Sequence, residues 1–178
     1  MTGTNDAPGA RDASPPIDDD PALPDGLIVP DLDYPTVRLS LVAKLMDRLT
    51  LRQLADRGQA TYAEWRVLSR LASLPDGGTV GQIADLAWVD RAEVSRAAAA
   101  LERRGLASRS DNQEDRRKPV LHITEQGRDV YHPLARDRGA FHAALVADLS
   151  EAERRTLDRL LGKIARRLFA QLRGDGGG

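Results

Sequence analysis

Three residues separate two helical patterns in the middle of this chain, and that spacing constrains the fold more than any other feature. The stretch is TVGQIADLAWVDRAEVSRAAAALERRG, residues 79–105. Its first part predicts a short helix over 79–87, with Thr79 as N-cap and Val80, Ile83 and Leu86 on the buried side. After the brief turn at Trp88 and Val89, Asp90 caps a second helix over 91–103, which ends near Gly105. Within it Val94, Ala97, Ala98 and Leu101 fall at i, i+3, i+4 and i+7, the inward stripe of an amphipathic helix.

The flanks extend the pattern. Residues 36–58 place Leu39, Val42, Leu45, Met46, Leu49 and Leu54 at helical spacing and stop at Gly58. ATYAEWRVLSRLASLPDGG predicts a helix with Tyr62, Trp65, Leu68 and Leu71 inward, ended by the Pro75–Gly78 turn. Downstream, LASRS and KPVLHIT are β-capable runs around a polar loop, which reads as a hairpin. Thr124 then caps a fifth helix, where Pro133 and Gly139 predict a kink or a weak first section. SEAE at 150–153 is a capping box opening a final helix with a stripe of Leu157, Leu160, Leu161, Ile164, Leu168 and Leu172.

Helix, short helix, three-residue turn, helix and hairpin in that order make a winged helix-turn-helix. The expected fold is therefore mainly α with a small β-hairpin wing, plus a helical dimerisation region. The divisions are an acidic disordered tail over 1–33, a first dimerisation helix over 34–58 and the winged domain over 59–124. C-terminal dimerisation helices over 125–173 and a flexible tail over 174–178 complete the chain.

Charge and composition narrow the function. The 178 residues carry a net charge of −1, but residues 1–33 hold eight acids and one base. The remainder holds 25 bases against 19 acids, so the folded part is basic. The acidic tail is rich in Pro, Gly and Asp and poor in large apolar residues, a composition that cannot offset the cost of ordering. The chain contains no cysteine, which excludes disulfides, thiolate metal sites and cysteine nucleophiles. No apolar run approaches the roughly 18 residues of a membrane span and no secretory signal is visible, so a cytoplasmic location without membrane partners is expected.

Helix 91–103 carries the functional expectation. Arg91, Ala92, Ser95, Arg96 and Ala99 lie on its outer side near the N-terminal half. Small residues interleaved with arginines allow a helix to enter the major groove of double-stranded DNA, so Arg91, Ser95 and Arg96 are the leading contacts. Arg116, Arg117 and Lys118 at the hairpin tip suit phosphate and minor-groove contact. Asp115 is placed to orient Arg117 through a side-chain ion pair. A solvated helix face and a solvated charged loop are the alternatives for each element taken alone.

Residues 61–127 resemble the MarR family of winged-helix transcriptional regulators. YAEWRVLSRLA and VSRAAAALERRGLASR are similar to the family's second and recognition helices. In NQEDRRKPVLHITEQG, Asp115 and Arg117 match the second half of the family's D-x-R-D-x-R wing, and Ile123, Thr124 and Gly127 match its L-T-x-x-G. Asn112 and Glu114 depart from the first half. The resemblance implies a homodimer built from the first and last two helices, and a small-molecule effector bound between those helices and the winged domain. A repressor released by its effector is the family default.

The residues themselves favour a dimer as well, because a ~70-residue winged domain cannot cover both the first helix and the Leu-rich last one. Arg38, Arg48, Arg52, Tyr62, Trp65 and His142 are the candidate effector-binding residues, and their arginines suit an anionic aromatic or acyl-thioester ligand. Each has a plainer reading as a surface charge or core aromatic. His122, His132 and His142 are the only histidines, and their spacing does not make a metal site, although a metal-responsive regulator stands as an alternative. No hydrolase, P-loop or dinucleotide signature occurs, so neither an enzyme nor a cofactor is expected. A helical module that binds protein through its winged domain is the other alternative.

Overall fold

The structure, a computed structural model, describes residue 24, residues 26–112, residue 115 and residues 117–174. Most of the expected acidic tail, the C-terminal tail from 175, Glu114 and the candidate contact Arg116 lie outside the described residues. The chain forms two compact units, residues 1–50 and 51–178, and the division falls within the first helix, α1 (Pro35–Arg57).

In the first unit α1 has a locally satisfied backbone. Ser40 donates to the Val37 carbonyl and Thr50 to the Met46 carbonyl, each at 2.7 Å. Leu39, Val42, Leu45 and Leu49, four of the apolar positions expected to share a face, are exposed.

The second unit runs α2 (Tyr62–Ala72), β1 (Gly78–Thr79), α3 (Val80–Ala87), α4 (Arg91–Arg103), β2 (Ala107–Ser110), β3 (Val120–Ile123), α5 (Glu125–Leu145) and α6 (Glu151–Gly174). Each helix start has a side chain closing an otherwise orphaned backbone N–H. Thr61 with Glu64, Thr79 with Gln82 and Ser150 with Glu153 form reciprocal capping boxes. Asp90 accepts the Ala92 N–H at 2.6 Å, and Thr124 accepts that of Gly127 at 3.0 Å. Gly58 and Gly105 follow α1 and α4 with φ of 63° and 69°.

The core lies between α2, α3, α4 and the sheet. Val67, Leu68 and Leu71 of α2 meet Ile83 and Ala84 of α3, the expected stripe Val94, Ala97, Ala98 and Leu101 of α4, and Leu106 and Leu121. Each fully buried leucine contributes about 1.5–3 kcal/mol. The small alanines let α3 and α4 approach closely, and this changes the face α3 buries. Ile83, Ala84 and Ala87 face inward, and Leu86, expected in the core, is 45% exposed.

The sheet corrects a second expectation. It has three strands in the order β1-β3-β2, all antiparallel, where the sequence predicted a two-stranded hairpin. β1 is two residues long and sits inside what reads as a turn. Gly77, with φ of 75°, lies so near the Leu121 carbonyl oxygen and the His122 ring that an added Cβ would overlap them. One more difference concerns the last helices. α5 is continuous across Pro133 rather than weak in its first section, because the adjacent Leu134 is buried with Leu54 and Ala60. α6 continues to Gly174 with no residue buried.

Candidate nucleic-acid interface

α4 presents its N-terminal half to solvent as the sequence predicted. Arg91, Ala92, Ser95 and Arg96 are exposed while Val94, Ala97 and Ala98 are buried behind them. Arg91, the first residue of the helix, rests against α3. A Cβ added to Gly81 would lie 3.7 Å from Arg91 Cζ, so the guanidinium packs over the bare glycine. Arg96, five residues further along and roughly 140° around the helix from Arg91, is exposed as well.

The hairpin tip is held by its own polar groups. Asn112 Nδ2 donates to the Lys118 carbonyl at 3.1 Å, and the Lys118 N–H to the Asp115 carbonyl at 2.9 Å. Asn112, one of the positions that departs from the family pattern, therefore helps close the loop. Asp115 does not meet the expectation of a side-chain pair with Arg117. Its Oδ1 accepts the Arg117 backbone N–H at 3.0 Å, and its Oδ2 lies 3.2 Å from Lys118 Nζ. A carboxylate two residues before an N–H closes a tight local turn more readily than it reaches a guanidinium at the end of a long side chain. The Arg117 N–H and the Lys118 ammonium hold the Asp115 carboxyl below its ordinary value, so it is ionised at neutral pH.

These elements share one groove of about 490 Å³. It is lined by Thr79, Gly81, Gln82 and Asp85 around α3, by Arg91 and Ser95 of α4, and by Arg109, Arg117, Lys118 and Pro119 of the hairpin. Four cationic side chains against one carboxylate give it a positive lining, although Asp115 offsets part of the Lys118 charge. A positive groove between a helix N-terminal half and a hairpin suits a polyanion.

Arg109 and the first turn of α3 belong to this groove but were not singled out from the sequence. Arg109 sits within ASRS, and its link to Glu102 Oε2 at 2.8 Å depends on the return of β2 along α4. The two-residue strand β1, which positions Thr79, had no recognisable pattern.

The candidate effector residues do not form a single constellation in either unit. In the first unit Arg38 pairs with Asp33 and Arg48 is exposed. In the second, Arg52 is exposed, and Tyr62 lines a cavity of about 500 Å³ that Glu64 and Arg104 also border. Trp65 stacks on Tyr131 with ring centroids 5.7 Å apart, a core aromatic arrangement. His142 lies 3.2 Å from Arg138, a buried α5 residue absent from the sequence-derived candidates. Arg138 also donates to Gln53 at 2.8 Å and stacks on Phe141. Among the described residues, no cluster of three or more His, Cys, Asp or Glu is arranged to hold a metal ion.

Residues 59–118, which hold all of this groove's lining except Pro119, match the MarR family model. A Bacillus subtilis (strain 168) protein, the uncharacterized HTH-type transcriptional regulator YdgJ, is 32% identical over 76 residues. That match covers 43% of this chain and 46% of the relative, so the chain spans under half of that relative's length. A MarR-family transcriptional regulator from Silicibacter pomeroyi is 27% identical with a TM-score of 0.60, over 70% of this chain and 84% of the other. The S. aureus MepR–DNA complex has a chain of the same fold at 22% identity, with a TM-score of 0.67 over 76% of this chain and 96% of the other. In sequence and in fold, the winged domain of this chain is therefore similar to the MarR family of winged helix-turn-helix transcriptional regulators.

Proposed function

We propose that the chain binds double-stranded DNA as a homodimer and regulates transcription, with α4 in the major groove and the hairpin on the backbone and minor groove. The observation that carries this reading is the single positive groove formed by Arg91 and Ser95 of α4 with Arg117 and Lys118 of the hairpin. The neighbour MepR, of the same fold, is captured with DNA. Arg116 falls outside the described residues and joins the hairpin contacts on sequence grounds alone.

Uncovered apolar stripes support the dimer. Leu39, Val42, Leu45 and Leu49 of α1 and Leu157, Leu160, Leu161, Leu168 and Leu172 of α6 are exposed in a single chain. A two-fold dimer reads a pseudo-palindrome with half-sites about 34 Å apart. Repression is relieved when a small anionic aromatic or acyl-thioester effector binds better to a dimer whose reading heads are wrongly spaced. Arg52, Tyr62, Trp65 and His142 in the second unit are carried forward as effector contacts, as are Arg38 and Arg48 in the first.

Fluorescence anisotropy with a duplex from upstream of the protein's own coding sequence, repeated at rising salt, tests the reading. Specific binding with a steep salt slope is expected. Arg117→Ala weakens binding and lowers the slope by about one. Absence of salt-dependent binding overturns it in favour of a protein-interaction module.

A further inference from the structure

We infer that Arg66 of α2 is a positioning residue that sets the seat of α4. This deepens the DNA-binding reading and rests on it. One guanidinium spans both sides of the turn between α3 and α4. Nη2 donates to the Ala87 carbonyl at 3.1 Å, and Nη1 lies 3.5 Å from Glu93 Oε1. The group also lies over the Tyr62 ring, 5.4 Å from its centroid.

The turn itself explains why such a brace matters. Trp88 adopts a left-handed backbone with φ of 55°, so α3 stops there, and the N–H groups of Trp88 and Val89 both go to the Ala84 carbonyl. Arg66 takes the Ala87 carbonyl of that terminal turn. Its charge sits at the negative end of α3, and Glu93 sits in the first turn of α4, at a positive end. Both helix termini therefore favour the pair.

The opposite end of α4 has a pair of reversed polarity. Arg104 donates to Glu64 Oε2 at 3.0 Å and to the Gln59 carbonyl at 2.5 Å. Burial alone raises the Glu64 carboxyl, but the Thr61 N–H and the Arg104 guanidinium outweigh it and hold it below the ordinary value. The first two turns of α2 thus grip α4 near both ends, Arg66 to Glu93 and Glu64 to Arg104. Between them α4 meets the core partly through Ala97 and Ala98. Apolar contact of this kind is non-directional and leaves roll and slide weakly specified, whereas guanidinium hydrogen bonds are directional. Arg66 is absent from the groove lining that carries Arg91 and Ser95, so its effect on recognition passes through the helix it holds.

The full-length protein tests this with Arg66→Met, Arg66→Lys and Glu93→Gln. Affinity is measured for the upstream duplex and for a scrambled duplex of equal composition across a salt series, and amide exchange is followed over residues 88–94. Arg66→Met is expected to reduce discrimination between the duplexes about tenfold with an unchanged salt slope, because no phosphate contact is lost. It also accelerates exchange in the turn several-fold, and Arg66→Lys restores part of both. Discrimination within twofold of wild type overturns the assignment, and a slope lowered by about one makes Arg66 a direct phosphate contact instead. If Arg66→Met fails to fold, Glu93→Gln, which keeps the Ala87 bond, should show smaller changes in the same direction; no change overturns the assignment. Exchange also separates the two readings. If wild type fails to discriminate between duplexes, the DNA-binding reading falls, whereas unchanged exchange in Arg66→Met removes the positioning role alone.

Discussion

The indole of Trp88 meets the ring of Phe169 edge-on, with centroids 5.1 Å apart and planes at 64°. This joins the turn before α4 to the last turns of α6, a helix in which no residue is buried. Such a pair contributes about 0.5–1.5 kcal/mol beyond area burial. Trp88 is 63% exposed and holds a left-handed backbone, which costs a non-glycine residue roughly 1–2 kcal/mol. The two terms nearly cancel in Trp88→Gly, so stability should stay within about 1 kcal/mol of wild type while the contact is lost. Phe169→Ala should leave the core intact and make Trp88 fluorescence more accessible to iodide. Unchanged quenching in Phe169→Ala would show that the two rings do not meet in solution.

Gly127 occupies a position in this chain that leaves no room for a side chain. An added Cβ would overlap the Leu106 carbonyl oxygen and lie 2.9 Å from Ile123 Cγ1. That carbonyl already accepts the Thr124 N–H, and Thr124 Oγ1 donates to the Gly105 carbonyl at 2.7 Å. Backbone on both sides is fixed, so the clash cannot be relieved by a rotamer change. Gly127→Ala should cost about 2–4 kcal/mol in chemical denaturation. A loss below 0.5 kcal/mol would mean that α5 enters the domain differently.

The sequence revealed the helices and the exposed face of α4 because their signals are local. Thr79, Asp90, Thr124 and Ser150 each act within three residues of themselves, and Val94, Ala97, Ala98 and Leu101 lie on one stripe of one helix. Features that depend on remote partners were not legible. β1 becomes a strand only by pairing with Leu121 and Val120, some forty residues away. Leu86 is exposed because α3 turns its alanines to the core, a choice made by its neighbours. Arg138 looked like any of the three arginines on α5 until Gln53, 85 positions earlier, appeared as its partner. Asp115 was placed in the right loop, and only geometry chose between the Arg117 side chain and its backbone.

His142 gives the second unit a pH dependence. Burial, followed by the neighbouring Arg138 charge, lowers its pKa from an ordinary 6.5. An arginine only donates, so the 3.2 Å contact from Arg138 Nη2 requires an unprotonated His142 Nε2. A base with a depressed folded-state pKa stabilises the fold fully above its unfolded value. That contribution is lost as pH falls below 6.5 and through the folded pKa. Thermal melts should therefore drop between pH 7.5 and 5.5, modestly because the ring is exposed. His142→Gln, which keeps an acceptor and cannot titrate, should flatten that drop. An equal drop in both proteins would assign the pH dependence to another group.

The exposed leucines of α6 allow the proposed dimer to be tested separately from folding. Leu157, Leu160, Leu161 and Leu168 are between 37% and 55% exposed, and none is part of the core around α4. A charge placed there meets water in a single chain and so costs little in folding. In a dimer closed over that stripe, the same charge is buried without a partner, at several kcal/mol per subunit. Leu160→Glu combined with Leu161→Glu should keep the helical circular dichroism spectrum and shift sedimentation from dimer to monomer. Anisotropy should then show operator affinity falling by two orders of magnitude or more, because each reading head binds its half-site alone and loses the effective concentration of a linked pair. A double variant that still sediments as a dimer would move the interface off this face of α6.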